Sequence, residues 1–354
     1  MKFIDTIEIK NFKSIRHQKI EGCKRVNVFI GYPNVGKSNI LEALSLLTFI
    51  RQKRPLDLGD LIRFDRFSQL FNYSNINEPA EISFNSFYDL YVRYVDEEGV
   101  SLSLRDNRNN DEFNIINHTD ITVGKGKLLS GQTNGIDDFS GFYPELQNLA
   151  VKPYKFISGK YFEKNKGKRY SALELKVPNG DNLNEVIVHN KILFGYFSDL
   201  LAEYNTKLYN DNYELKLELK TKDNVPTLYP LSLLADTLMR VVFFKTAIAS
   251  NKEAVLIFEE PEAHMFPPYI KKLTTDIIFD KSNQFFIATH SPYVLDELIA
   301  EAGDELSVYL VDYKEGETKI YYLKEDDLTE IREYGVDLFF NIESYLKHGQ
   351  INNA

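Results

Sequence analysis

The chain has 354 residues, 43% hydrophobic and 13% aromatic, enough for a packed core in one large domain or two. Its net charge of −10 does not favour a sequence-independent grip on nucleic acid, and its single cysteine, Cys23, excludes an intrachain disulfide or a multi-cysteine metal site. No window approaches the roughly 18 uninterrupted apolar residues of a membrane helix, and Asp5 puts an early acid where a secretory signal would be apolar, so a cytoplasmic protein is expected.

Ile4 to Lys10 alternates as a strand, and Asn11-Phe12-Lys13-Ser14-Ile15 turns toward a second run ending at Ile20, which predicts a β-hairpin. The apolar run Val26–Ile30 reads as a buried strand, and Asn39 to Leu47 reads as a helix. Between them Gly31-Tyr32-Pro33-Asn34-Val35-Gly36-Lys37-Ser38 has the G-x-x-x-x-G-K-[ST] spacing of a phosphate-binding P-loop in its required strand-to-helix context. Gly31 and Gly36 let the backbone turn its N–H groups toward a polyphosphate, and the partial positive charge at the helix start adds to the attraction. The whole segment through Asn39 is the expected nucleotide cradle, with Lys37 on the β- and γ-phosphates of ATP and the Ser38 hydroxyl on Mg²⁺.

Pro55 ends the first helical pattern, and from about residue 80 to 130 strand-like runs such as Ala80–Phe84 and Leu90–Val95 alternate with polar turns. Residues 107–110 and 124–141, rich in Gly, Asn and Asp, read as loops. Lys160 to Arg169 mixes bases with aromatics, which suits either a solvated loop or phosphate contact with base stacking. Helical periodicity returns at Leu183 to Tyr204, a strand follows at Tyr213 to Leu219, and Leu231 to Phe244 reads as a largely buried helix.

The apolar run Ala254–Phe258 ends in Glu259-Glu260, and carboxylates at the C-terminal end of a parallel strand face the ligand crevice of an open α/β sheet. Alone the pair could be an acidic helix start; beside a P-loop, Glu259 is expected to hold Mg²⁺ and Glu260 to polarise the attacking water. The run Gln284–Ala288 likewise ends in Thr289-His290, placing His290 to report on the γ-phosphate. Leu306 to Leu323 reads as two strands around the turn at Lys314–Glu317, followed by Glu325-Asp326-Asp327 and a final helix.

The hairpin with Asn11-Phe12-Lys13-Ser14, the P-loop, the Glu259-Glu260-Pro261-Glu262-Ala263-His264 strand end and Thr289-His290-Ser291-Pro292 together resemble the ATP-binding-cassette-type ATPase heads, nearest to the RecF/SMC-like and OLD-like bacterial AAA-family ATPases. The resemblance covers residues 1–50 and 228–300 and implies a P-loop NTPase fold of class α/β, with a mixed, largely parallel sheet flanked by helices. In that reading residues 1–54 and 226–354 form the ATPase core and 55–225 an inserted β-rich and helical lid. Such heads dimerise around ATP, each nucleotide meeting a signature helix of the other copy, so Asp236 and Thr237 are expected to face the partner's nucleotide. Ala235 and Thr237 stand where the family usually has serine and glycine, which implies slow hydrolysis, since losing one such donor costs roughly 10²–10³ in rate. Gln52 and Gln69 are both candidates for the glutamine that links metal and lid in these ATPases. The resemblance further implies a regulatory ATPase that acts on a separately encoded effector, in bacterial anti-phage defence, because no acidic Toprim nuclease pattern follows the ATPase segments. A RecF-like DNA-binding repair ATPase is the alternative.

Overall fold

The computed structural model describes residues 3–51, 56–97, 99–109, 111–116, 146–158, 173–211, 214–220 and 226–352. The chain packs as two units, one of residues 1–153, 253–260 and 281–354 and the other of 154–252 and 261–280.

In the first unit β1 (Ile7–Phe12) and β2 (Ile15–Ile20) form the expected hairpin, with Ile7 opposite Ile20. β1 pairs on its other side with β4 (Ala80–Phe84), and β5 (Tyr88–Asp96), β6 (Gly99–Asp106) and β7 (Asp111–Ile116) extend this into an antiparallel sheet ordered β2-β1-β4-β5-β6-β7. The strands of 80–116, expected inside an inserted lid, therefore continue the hairpin sheet. The reason is their one-sided patterning: Ala80, Ile82, Phe84, Leu90 and Val92 are buried in the same core as Ile7, Ile9 and Phe12.

The second sheet is mixed and ordered β15-β14-β3-β13-β12-β8. Its strands are β3 (Val26–Ile30), β8 (Ala150–Tyr154), β12 (Ala254–Glu259), β13 (Gln284–Ala288), β14 (Leu306–Lys314) and β15 (Glu317–Tyr322). β12, β13, β3 and β14 run parallel, and β15 is antiparallel to β14. Every residue of β3 and β13 is buried, including the polar Asn27 and Gln284, as strands covered on both faces require. On one face lies α1 (Lys37–Ser45), whose Ile40, Leu41, Ala43 and Leu44 join the core that also holds Ile9 of the first sheet and Val255 and Ile257 of the second. Beside a single helical turn at Leu58–Leu61, this unit has the longer helices α6 (Pro292–Glu301), α7 (Glu325–Tyr334) and α8 (Leu338–Asn352), the last against β14 and β15. β15 also closes onto the hairpin, where the Thr318 N–H donates to the Ser14 carbonyl at 2.8 Å and the Ile320 N–H to Gln18 Oε1 at 2.9 Å.

The second unit contains α2 (Leu183–His189), α3 (Lys191–Ala202), α4 (Asp236–Ser250) and α5 (Pro267–Phe279), with a small antiparallel sheet of β9 (Thr206–Asp211), β10 (Glu214–Lys220) and β11 (Pro226–Pro230). Its core is aromatic: the Phe243 ring meets those of Tyr154, Phe156 and Phe244 edge-on at centroid distances of 6.0, 5.8 and 5.1 Å. One sequence expectation is sharpened here and one corrected. The helical periodicity of Leu183 to Tyr204 belongs to two helices, because the Asn190 side chain accepts from the N–H groups of Ile192 and Leu193, both at 3.1 Å, and so starts a new one. The helix expected over Leu231 to Phe244 is a 3₁₀ turn at Leu231–Leu233, an extended step at Leu234 and Ala235, and α4 beginning at Asp236. Among the described residues no helix is long and apolar enough to cross a membrane.

Candidate functional site

The P-loop conformation follows from its glycines. A Cβ on Gly31 would lie 2.2 Å from the Val311 carbonyl oxygen, and one on Gly36 would lie 2.0 Å from Thr318 Oγ1. Gly36 also sits in the left-handed region at φ 104°, as does Asn34 at φ 64°, a conformation asparagine tolerates better than most side chains. Gly36 caps α1 without any side-chain hydrogen bond, and no acid occupies the first turn, so the helix start presents backbone N–H groups and positive potential to an anion. Tyr32, Pro33 and Asn34 form the exposed tip, and Val35 is buried beneath it. The Lys37 ammonium donates to the carbonyls of Gly31 at 2.9 Å and Tyr32 at 2.8 Å. Burial pushes its pKa down to about 8 against the opposing pull of Glu260 and Glu259.

The acids and the histidine reach the same place through sheet register. Glu259 pairs with Ala288 across β12 and β13, and Ala288 pairs with Phe29 across β13 and β3, so three strands end level with one another beside the P-loop. The Ser38 hydroxyl donates to Glu259 Oε1. Glu260 adopts a left-handed φ of 43°, a strained choice for a residue with a long side chain, and its N–H donates to the Ala288 carbonyl at 2.8 Å. This turn brings Glu260 Oε1 to 3.5 Å from His290 Nε2. His290 is set by the Thr289 N–H donating to the Phe29 carbonyl at 3.2 Å and by the Ser291 N–H donating to Thr289 Oγ1 at 3.0 Å. Burial and the nearby Lys37 charge lower the His290 pKa, so its imidazole is neutral at pH 7 and can either donate or accept.

Beside these residues runs an ionic chain that no motif in the sequence announced. Glu42, only 2% exposed on α1, accepts from Arg63 Nε at 2.9 Å with one carboxylate oxygen and from Lys13 with the other. Arg63 in turn donates to Glu259 Oε1 at 3.0 Å, and its own carbonyl accepts from Lys13 at 2.6 Å. A buried carboxylate survives only when paired, and Glu42 is held by two cations. Its one legible signal was an acid in the apolar helix stretch Ile40-Leu41-Glu42-Ala43-Leu44. Arg63 had none.

The other expected site residues fall elsewhere. The Asn39 amide donates to Ser14 Oγ at 2.6 Å, bracing the hairpin turn. Asp236 and Thr237 begin α4 in the second unit, where the Thr237 hydroxyl donates to the His264 carbonyl at 2.8 Å. Gln69 caps its own turn, its Oε1 accepting from the N–H groups of Asp65 at 2.8 Å and Arg66 at 3.2 Å. Gln52 and the basic segment Lys160 to Arg169 lie outside the described residues.

A glycine loop joining a buried parallel strand to an uncapped helix, level with acids at the end of the next strand but one, defines a P-loop ATPase head of the ABC and AAA type. The chain belongs to the AAA ATPase domain family, whose model matches residues 1–229. It is 25% identical over 385 residues to the ATP/GTP phosphatase of Helicobacter pylori, a match spanning 96% of this chain and 98% of that protein. A stretch of 63 residues is 38% identical to the DNA replication and repair protein RecF of Caldanaerobacter subterraneus subsp. tengcongensis, covering 18% of this chain and 17% of RecF. Among solved structures, an SmcHead bound to the C-winged helix domain of ScpA is similar in fold, with a TM-score of 0.52 at 15% identity over 93% of this chain and all of that one. An Smc head domain with an extended coiled coil, bound to the C-terminal domain of ScpA derived from Pyrococcus furiosus, gives 0.50 at 14% identity over 94% of this chain and 99% of that one. The fold is thus that of an SMC-type head. Glu259, Glu260 and His290 lie beyond the residues matched by the family model.

Proposed function

We propose that this protein is a slow, Mg²⁺-dependent ATPase that dimerises around ATP and regulates a separately encoded effector. The observation that carries the enzymatic part is the level ending of β3, β13 and β12, which gathers Lys37, Ser38, Glu259, Glu260 and His290 from segments more than two hundred positions apart. The backbone of Gly31–Ser38 cradles the phosphates, and Lys37 exchanges loop carbonyls for phosphate oxygens. Ser38 and Glu259, whose oxygens already converge, suit a hard cation that takes one or two protein oxygens and completes its shell with phosphate and water. Mg²⁺ bound there would neutralise charge on the β- and γ-phosphates. Glu260 accepts the proton of the attacking water, and neutral His290 hydrogen-bonds that water or the γ-phosphate. Because the similar H. pylori protein is described as an ATP/GTP phosphatase, GTP belongs in the same assay.

Slow turnover and dimerisation rest on the second unit. Asp236 and Thr237 face the nucleotide of the other copy, and their chemistry there is poor: an acid in the first turn repels phosphate, and the Thr237 hydroxyl is committed to His264. ATP then acts mainly as a clamp for an assembly that holds the effector, with anti-phage defence as the setting. The stretch similar to RecF supports a second reading, a head that grips duplex DNA, which a steep salt slope in gel shifts would distinguish. The test of the main reading is light scattering and single-turnover kinetics on the full chain with Mg²⁺ and ATP, GTP or ADP. A doubling of mass with ATP and slow hydrolysis are expected. Fast hydrolysis by a chain that stays monomeric would overturn the clamp.

A further inference from the structure

The P-loop rests on a directional relay of side chains drawn from three distant segments. Thr318, the second residue of β15, is fully buried, and its hydroxyl donates to the Val35 carbonyl at 2.9 Å. That bond uses its only hydrogen, so in the 2.6 Å contact between Ser14 Oγ and Thr318 Oγ1 the donor must be Ser14. Ser14 in turn accepts from the Asn39 amide at 2.6 Å. The relay therefore runs one way, from Asn39 at the start of α1, through Ser14 in the hairpin turn and Thr318 in β15, to the carbonyl of Val35 inside the P-loop.

The consequence follows from peptide geometry. The Val35 carbonyl and the Gly36 N–H belong to one planar trans peptide and point in opposite directions. Holding that carbonyl on Thr318 fixes where the Gly36 N–H aims. Gly36 cannot be replaced by anything larger without expelling Thr318, since a Cβ there would stand 2.0 Å from Thr318 Oγ1 and 2.9 Å from Ser14 Oγ. The β14–β15 turn that delivers Thr318 is itself held, by the Tyr73 hydroxyl donating to the Gly316 carbonyl at 2.7 Å.

The geometry points to Thr318 as a positioning residue for the nucleotide: through Ser14 and the Val35 carbonyl it preorganises the Gly36 N–H for phosphate, although it touches no nucleotide itself. This rests on the reading of the P-loop as an ATP site. Thr318 lies outside the residues matched by the family model, and its local sequence, Glu317-Thr318-Lys319, carries no motif.

The test is ATP affinity and turnover of full-length Thr318→Val, which keeps the shape and removes the hydroxyl, beside Thr318→Ser, which restores it. Leaving one buried carbonyl unpaired predicts that Thr318→Val raises the Kd for ATP about tenfold. kcat should stay within about threefold, and Thr318→Ser should return Kd to within about twofold of the unaltered chain. A residue that only stabilised the fold would lower the melting temperature without separating Kd from kcat. Should Thr318→Val fail to fold, Ser14→Ala, which breaks the relay one step earlier, is expected to raise Kd about threefold. Unchanged affinity in whichever of the two variants folds overturns the inference. Absence of ATP binding by the unaltered chain would instead overturn the reading of the site.

Discussion

Two helix starts invite comparison, α1 in the first unit and α4 in the second. Neither has a side-chain cap on its first turn. At α1 the cap is Gly36, no acid stands in the first turn, and a buried lysine is held over the loop by two carbonyls. At α4 the cap is Ala235, Asp236 stands in the first turn, and the Thr237 hydroxyl is bonded to His264. By charge alone, the first start favours an anion and the second, with its first-turn acid, disfavours one. The same backbone motif is given opposite character by the charge of a single neighbouring side chain.

The largest expected effect comes from breaking the favourable start. Lys37→Ala removes the only side-chain cation of the P-loop and should weaken ATP binding by about a hundredfold or more, measured by equilibrium titration with a fluorescent ATP analogue. Near-normal affinity would mean that the loop does not bind phosphate through Lys37. A smaller effect should come from repairing the unfavourable start. Asp236→Asn with Ala235→Ser removes the acid and supplies a hydroxyl, and steady-state turnover should rise about tenfold while ATP affinity at low protein concentration stays unchanged. No change in turnover would remove α4 from the catalytic account.

The smallest effect is graded with pH. Burial has brought Lys37 to a pKa of about 8 in the free chain, so its charge is complete well below that pH and is lost as pH rises through it. Binding to phosphate requires the charged form, so above pH 8 the Kd for ATP should rise by about tenfold per pH unit as binding takes up one proton. A flat profile from pH 7 to 10 would show that Lys37 stays charged in the free chain.

Much of the α1 side of this comparison is legible in the sequence. Val26–Ile30, Ala254–Phe258 and Gln284–Ala288 are predominantly apolar runs, broken only by Asn27 and Gln284, and such runs are what a parallel sheet covered on both faces demands. What periodicity could not convey is neighbour choice. It did not show that β13 sits between β3 and β12, or that β4 pairs with β1 and so draws residues 80–116 into the hairpin sheet. Nor does local patterning find Arg63 or Thr318, whose roles exist only where the sheets bring Glu259 and Val35 to them. On the α4 side the apolar Leu231, Leu233 and Leu234 carry no stop signal, and the break before Asp236 shows only in the backbone.

The central claim is that segments far apart in the chain close around one magnesium-bound triphosphate, with Glu260 acting on the water. Its most direct test is Glu260→Gln, measured for ATP affinity and single-turnover hydrolysis on one protein preparation. Affinity should be retained, hydrolysis should fall by about 10²–10⁴, and an ATP-bound dimer should accumulate. Hydrolysis at the unaltered rate with ATP still bound would contradict the account.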